Sequence, residues 1–401
     1  MAEPDLRDQP TPAFIAALRR QFRIEPEIDR LLTRKMQRRA GPAYQMVTLE
    51  QLTGCLTSFL TRRLDASFEI RDARWLAGGA SKLQMRFTLH WRGPDGSPTA
   101  SDLVLRMEPS ESLNASSRLR EFQVLDALKG QVPVPAVYWV DNDGDHFPEP
   151  ALVYAWAPGV AKPTRSGGAG VTGLGSRYGA RLRGLLAPQF VEHLARIHRF
   201  EPSPATLSAF VHPAVGGTEA AALQVNWTRR AWAEDRGAEL PLMEVAASWL
   251  QRNLPVLDRA SIVHGDYRAG NFLFDEDSGQ VTSILDWERT CIGDRHRDLA
   301  WSTTTVIGHL DDDGKTFLMC GLMPVAEFYR RYEDASGLRI DPAKLHFYEV
   351  LNRTQQLQTV LGTAYRVVRL SKSHQNIVIA RLQKAAYLLA EDLRAALAEV
   401  V

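Results

Sequence analysis

Three cysteines in 401 residues, Cys55, Cys291 and Cys320, are odd in number and far apart. They build neither a disulfide framework nor a Cys-x-x-Cys or Cys/His zinc spacing, so they read as reduced, packed thiols of a cytoplasmic protein. Charge of one sign is lacking too: 48 Lys and Arg against 47 Asp and Glu leave a formal net charge of +1. With no Lys/Arg-rich block, no nucleic-acid partner is expected. No run approaches the roughly 18 apolar residues of a membrane span. The polar, acidic start MAEPDLRDQPTP lacks the charged-then-apolar order of a signal peptide. No membrane association is therefore expected. Gly-x-x-x-x-Gly-Lys-[Ser/Thr] occurs nowhere, which excludes a P-loop. Gly168-Ala169-Gly170-Val171-Thr172-Gly173 matches Gly-x-Gly-x-x-Gly, but the preceding AKPTRSG has no strand character, so it reads as a loop near the substrate. What remains is a globular composition, 45% hydrophobic and 24% charged, in a chain long enough for two or three domains.

The informative stretch is SIVHGDYRAGNFLFDEDSGQVTSILDWERTCIGDRHRDLAW, residues 261–301. An apolar strand ends in His264-Gly265-Asp266, Asn271 follows five residues later, and a predicted hairpin delivers Asp286 at the end of its second strand. One carboxylate to accept a hydroxyl proton and two oxygen ligands to hold Mg²⁺ on phosphates are the parts phosphoryl transfer needs. The spacing also reproduces the kinase catalytic loop H-R-D-x-x-x-x-N.

HGDYRAGNFLFD, ILDWE and GDRHRDLAW together resemble the aminoglycoside phosphotransferase family, and within it the kinase domains associated with acyl-CoA dehydrogenases. The resemblance implies an α+β, bilobal protein-kinase-like fold: a small lobe built on an antiparallel β-sheet and a larger, mostly helical lobe. It also implies ATP and Mg²⁺ as cofactors and a small-molecule hydroxyl as acceptor. No activation segment ending in Ala-Pro-Glu separates Glu288 from Trp301, which agrees with a small acceptor rather than a peptide.

The rest of the chain divides accordingly into a helical extension (1–66), a small lobe (67–155) and a large lobe (156–401). The extension fits either a brace on the small lobe or a homodimer contact. Thr48 with Glu50-Gln51 marks a helix start, with a capping-box spacing that is not cleanly met. Residues 68–108 read as three strands. The turn Gly78-Gly79-Ala80-Ser81 between the first two can bring backbone N–H groups to phosphates, and so can any hairpin turn. Arg106 stands on the third strand, where kinases carry lysine; a guanidinium can bridge phosphate and carboxylate. Lys82 is a rival phosphate contact. By the resemblance, Glu121 on the next helix is Arg106's partner, and backbone near Ala155 and Trp156 meets the adenine edge.

The spacing of His193 and His198 suits packing rather than zinc, and Trp227, Trp232 and Trp249 read as core. Helices are expected at about 314–335, 342–368 and 373–399, walling the acceptor pocket. Asp266 is the expected base, with Asn271 and Asp286 on Mg²⁺. Arg268 fits either the transferring phosphoryl group or a salt bridge, His264 braces the loop, and by the resemblance Asp294 and Asp298 cap and brace the turn between Glu288 and Trp301. Arg366, Arg369 and Lys372 recur at helical spacing and read either as a solvated face or as a basic one that would suit an anionic acceptor; the resemblance to the dehydrogenase-associated branch implies a hydroxyacyl-CoA or similar metabolite. An aminoglycoside acceptor and a nucleotide-binding, non-catalytic regulator are the alternatives.

Overall fold

The computed structural model describes residues 5–76, 82–93, 95–164 and 175–400; Gly78, Gly79 and Ser81 and the Gly168–Gly173 match lie outside these. Three helices lead in: α1 (Pro12–Gln21), α2 (Pro26–Arg38) and α3 (Leu49–Thr61). Strands β1 (Glu69–Trp75), β2 (Leu83–Arg92) and β3 (Pro98–Met107) follow, then α4 (Arg118–Leu128), β4 (Val137–Asp141) and β5 (Ala151–Ala155). The five strands form one antiparallel sheet in the order β1-β2-β3-β5-β4.

Strand periodicity gives this sheet two faces. Leu103, Leu105 and Met107 of β3, with Met85 and Phe87 of β2, pack against Leu52, Leu56 and Phe59 of α3. Val104 lies on the opposite face with Val124 and Leu128 of α4, in the cluster that continues into the large lobe. Arg106, two residues on, shares that face and is aimed at the lobe junction. Residues 5–66 thus do two jobs. The helix α3 completes the small-lobe core, while α1 and α2 run across to the large lobe. The start of α3 is a full capping box: Gln51 N–H donates to Thr48 Oγ1 at 3.1 Å and Thr48 N–H to Gln51 Oε1 at 2.9 Å. The spacing is met by Gln51 at the third helical position, not left unmet as the sequence suggests.

The large lobe holds α5 (Ala180–Arg199), α6 (Glu219–Asp235), α7 (Pro241–Arg252), then β6 (Ser261–Val263), β7 (Phe272–Phe274), β8 (Val281–Ile284) and β9 (Cys291–Gly293). After these come α8 (His296–Ser302), β10 (His309–Leu310), β11 (Phe317–Met319), β12 (Met323–Pro324), α9 (Val325–Ser336), α10 (Pro342–Gln358), α11 (Tyr365–Arg369), α12 (Asn376–Leu382) and α13 (Ala386–Ala398). The helix expected from 314 begins only at Val325; a three-stranded β10-β11-β12 sheet precedes it. Turn chemistry overrides the periodicity there. Asp313 accepts from the Lys315 and Thr316 N–H groups, and Gly314 and Gly321 adopt positive φ. The 342–368 helix is interrupted by a π-helical turn at Thr359–Ala364.

Trp232 and Trp249 are core residues of the α6–α7–α10–α13 packing. No helix among the described residues is long and apolar enough to cross a membrane.

Helix α2, with Arg39 that caps it, joins the two lobes. Arg38 grips Glu149 of the small lobe through two bonds of 2.8 and 2.7 Å, and Arg30 reaches Asp143 at 2.8 Å. On the other side Lys35 and the fully buried Arg39 pair with Asp235 at the end of α6, at 3.0 and 2.6 Å. The basic face expected on α11 is consumed in the same way. Arg366 pairs with Asp5 and Asp8, Arg369 with Asp8, and Lys372 donates to the Gly41 and Pro42 carbonyls. These cations anchor the chain's own start rather than facing a ligand.

Candidate active site

The loop after β6 is shaped by a carboxylate behind it. Asp298 of α8 accepts from the His264 N–H and the Gly265 N–H, both at 2.7 Å, and from His198 at 3.1 Å. Burial opposes its charge, but the His198 hydrogen bond and the Gly265 N–H hold its carboxyl below the usual range. His264 is fully buried: Nε2 donates to the Leu285 carbonyl at 3.0 Å, so Nδ1 accepts the Asp266 N–H at 3.2 Å. This imidazole is a brace. Gly265 has φ +80°, and a Cβ there would come within 2.6 Å of the Arg289 carbonyl oxygen, so only glycine fits. Asp294 accepts from the His296 N–H and ring Nδ1 at 3.0 and 2.5 Å, bracing the start of α8.

Asp266 stands at the loop's tip. Its Oδ1 accepts from Arg268 Nε at 2.9 Å and from Trp301 Nε1 at 2.6 Å; its Oδ2 accepts from Asn271 Nδ2 at 2.8 Å. Asn271 Nδ2 also reaches the Asp266 carbonyl at 2.9 Å. With Nδ2 so used, Asn271 Oδ1 has no hydrogen-bond partner among the described residues. Arg268 thus adopts the salt-bridge arrangement.

Asp286 follows β8 in the left-handed region, φ +67° and ψ +51°, which turns its side chain to the lobe junction. There Arg106 meets three carboxylates: Asp286 at 2.5 Å, Glu288 at 2.9 Å and Glu121 at 3.2 Å. Lys82 is buried beside it, on Glu288 at 3.2 Å, Glu108 at 2.9 Å and Ser112 Oγ at 2.6 Å. Asn114 Nδ2 donates to the other Glu288 oxygen at 2.9 Å. Burial, then the Glu288 carboxylate, pushes Asp286 up; Arg106 opposes both. Glu288 is held far below the usual range by Lys82 and Arg106 despite its burial.

The site residues read from the sequence thus fall into two groups that the lobe junction brings together: Asp266, Arg268 and Asn271 on the loop, and Arg106, Glu121 and Asp286 across it. Ala155 ends β5 at that junction and Trp156 follows it, but their N–H groups are already bonded to the Ala136 and Asp102 carbonyls, each at 2.8 Å. Sequence reasoning missed Glu288, although it stands two residues after Asp286, and it missed Trp301 and Asn114, for which only proximity in space gives a signal.

Asn271 Oδ1 and Asp286 Oδ2 are both without a hydrogen-bond partner among the described residues, and both are hard oxygen donors of the kind Mg²⁺ takes. No group of three or more His, Cys, Asp or Glu gathers into a metal site among the described residues.

A sheet-based small lobe, a helical large lobe and a catalytic-loop layout between them define a kinase-like fold. Residues 76–348 match the family model APH, phosphotransferase enzyme family, and the chain belongs to that family. It is 29% identical over 241 residues to acyl-CoA dehydrogenase family member 10 of Mus musculus, covering 57% of this chain and 21% of that protein. It is 29% identical over 119 residues to the aminoglycoside 3'-phosphotransferase of Streptomyces fradiae, covering 28% of this chain and 41% of that one. The chain therefore spans well under half the length of these curated relatives. Among solved structures, an apo aminoglycoside phosphotransferase superposes with TM-score 0.54 at 15% identity, covering 86% of this chain and 98% of that one. An aminoglycoside phosphotransferase in complex with GDP and kanamycin gives 0.52 at 19% identity, covering 88% of this chain and all of that one. These likenesses confirm the bilobal α+β fold expected from the sequence.

Proposed function

We propose that this protein transfers the γ-phosphoryl group of ATP, with Mg²⁺, to a hydroxyl of a small molecule, with a hydroxyacyl-CoA or similar metabolite as acceptor. The observation that carries the reading is Asp266, held by three donors at the tip of a braced loop with the free oxygens of Asn271 and Asp286 nearby. Asp266 accepts the acceptor's hydroxyl proton as that oxygen bonds to phosphorus and the bond to the leaving nucleotide breaks. Bound Mg²⁺ supplies charge neutralisation on the phosphates. Asn271 and Asp286 would hold it, while Arg106, fixed by Glu121, orients phosphate oxygens. Arg106 suits this role better than Lys82, because it contacts Asp286 directly.

In this reading the nucleotide occupies the small lobe (67–155) and the acceptor the large lobe (156–401). The amides of Ala155 and Trp156 are committed to the sheet, so an adenine contact at this edge would use their carbonyls or the chain that follows. The three free thiols suit a reducing, cytoplasmic setting.

Arg289 favours an anionic acceptor. Its guanidinium lies 4.7 Å from the centre of the Trp301 ring, on the residue that holds the base. Nη2 donates to Gln355 at 2.9 Å, and Nε is buried without an acceptor among the described residues. Burial, then neighbouring Arg297, pushes this guanidinium down to about 10. A further cation there, as on an aminoglycoside, would add to that strain, whereas an anion relieves it.

The test is ADP release and ³¹P detection of product across hydroxyacyl-CoAs, free hydroxy acids and aminoglycosides, alongside melting with Mg²⁺-ATP. Expected are Mg²⁺-ATP stabilisation lost in Asp286→Ala, and transfer to a hydroxyacyl-CoA abolished in Asp266→Asn. Turnover of an aminoglycoside alone would overturn the acceptor; nucleotide binding without transfer to any acceptor would make the protein a regulator.

A further inference from the structure

Away from the lobe junction, α1 does not seal against the helices it crosses. A cavity of about 310 Å³ lies between α1, α6, α7 and α10, at the lower end of the roughly 300–1,000 Å³ of small-molecule sites. Its apolar lining comes from Phe14, Leu18 and Phe22 of α1 and from Trp232, Met243 and Leu250 opposite. Set into that lining are three guanidinium groups, Arg7, Arg229 and Arg236, against one carboxylate, the exposed Glu244.

The cations are unequally satisfied. Arg7 Nε donates to the Ala233 carbonyl at 2.9 Å and its Nη1 pairs with Asp5 at 3.7 Å, and Arg236 Nη2 pairs with Glu239 at 2.7 Å. Arg229 has neither hydrogen bond nor ion pair among the described residues; its contact is with the Phe22 ring, 5.1 Å from the centroid. Burial holds both Arg7 and Arg229 below the usual arginine range. Two buried donors at the cavity also lack acceptors among the described residues. These are Arg236 Nε and the indole Nε1 of Trp232, a residue only 5% exposed. A buried donor without a partner costs free energy that an acceptor arriving in the cavity would recover.

From the cavity, the Arg229 guanidinium without an ion pair among the described residues and the unused indole N–H, we infer that it binds a small monocarboxylate with an apolar body. The carboxylate would lie among Arg229, Arg236 and the Trp232 N–H, with the hydrocarbon against Phe14, Leu18 and Met243. Carboxylate matches guanidinium geometry with two parallel N–H···O bonds. Because α1 forms one wall, the ligand would also fix the start of the chain on α6. The cavity lining includes none of Arg106, Glu121, Asp266, Asn271 and Asp286, so the assignment stands or falls independently of the proposed kinase activity.

Octanoate and phenylacetate represent aliphatic and aromatic sources of the same chemistry. Each is titrated calorimetrically into the full-length protein, with and without saturating Mg²⁺-ATP. Expected is one saturable site per chain for at least one carboxylate, unchanged by Mg²⁺-ATP and at least tenfold weaker in Arg229→Gln. Ala247→Phe, which fills the cavity without removing a cation, should abolish binding and guards against misfolding of the arginine variant. The acid that binds identifies the aliphatic or aromatic source. Absence of saturable heat with both acids, equal binding of octylamine, or unchanged affinity in Arg229→Gln and Ala247→Phe would each overturn the assignment.

Discussion

Trp301 Nε1 donates to Asp266 Oδ1 at 2.6 Å, so the proposed base is oriented by an indole from α8, 35 residues downstream. Arg268 binds the same oxygen at 2.9 Å and Asn271 the other at 2.8 Å, leaving the carboxylate little freedom to rotate. Loop and helix are thus tied through Asp298 beneath the loop, through Trp301 at its tip and through Ser302 Oγ, which donates to the Tyr267 carbonyl at 2.7 Å.

Trp301→Phe keeps an aromatic ring beside Arg289 while removing the N–H together with part of the indole. A hydrogen bond to a charged group is worth about 1.5–3 kcal/mol. The expected result is a fall in kcat of roughly ten- to a hundredfold with the KM for ATP little changed. Steady-state kinetics with varied nucleotide and acceptor checks this; a fall in kcat with Trp301→Ala but none with Trp301→Phe would assign Trp301 to packing instead.

Arg106 is the only cation that touches Glu121, Asp286 and Glu288 together among the described residues. Arg106→Met leaves these carboxylates clustered at the junction with Lys82 and Arg118 as their remaining cations. Removing one partner of a buried ion pair costs about 3–5 kcal/mol, and urea unfolding should show a loss of that order. Arg106→Lys keeps charge without the fork and should recover part of the stability while weakening Mg²⁺-ATP binding.

His193, on α5, is 9% exposed, and neither ring nitrogen has a partner among the described residues. Burial pushes its folded pKa down from 6.5 to about 4. The unfolded chain therefore takes up a proton first as pH falls. The stability from keeping this ring neutral is complete above about pH 6.5 and is lost progressively between 6.5 and 4. A tenfold change in proton affinity between folded and unfolded chain corresponds to about 1.4 kcal/mol, which sets the scale of the loss. In His193→Leu the melting temperature should fall less over that interval than in the parent. Parallel curves would show that another group carries the acid sensitivity.

His264, Asp266, Asn271 and Asp286 are legible in the sequence because they lie within 23 consecutive residues on one strand-loop-hairpin unit. The spacing of such a unit is set by local geometry: a strand end, a tight turn and a hairpin register. Arg106 is legible by the alternation of β3, which puts it on the Val104 face. The Thr48/Gln51 cap is equally local, although its exact spacing emerges only from the helix start itself.

The sequence by itself determined the local pieces: the braced loop, the two-faced sheet, the core tryptophans and the short path from Glu288 to α8. Tertiary structure decided which charges meet. Arg106 and Asp286 are 180 positions apart, Arg39 and Asp235 are 196 apart, and Arg366 and Asp8 are 358 apart. No periodicity encodes such pairs. An arginine reads alike in sequence whether it faces water, a ligand or a distant carboxylate, and burial against a partner settles which. That is why Arg366 and Lys372 read as a ligand-facing surface and prove to hold the segments that flank α1 and α2. It is also why the Arg106 hub gained Glu288 only when the two lobes were brought together.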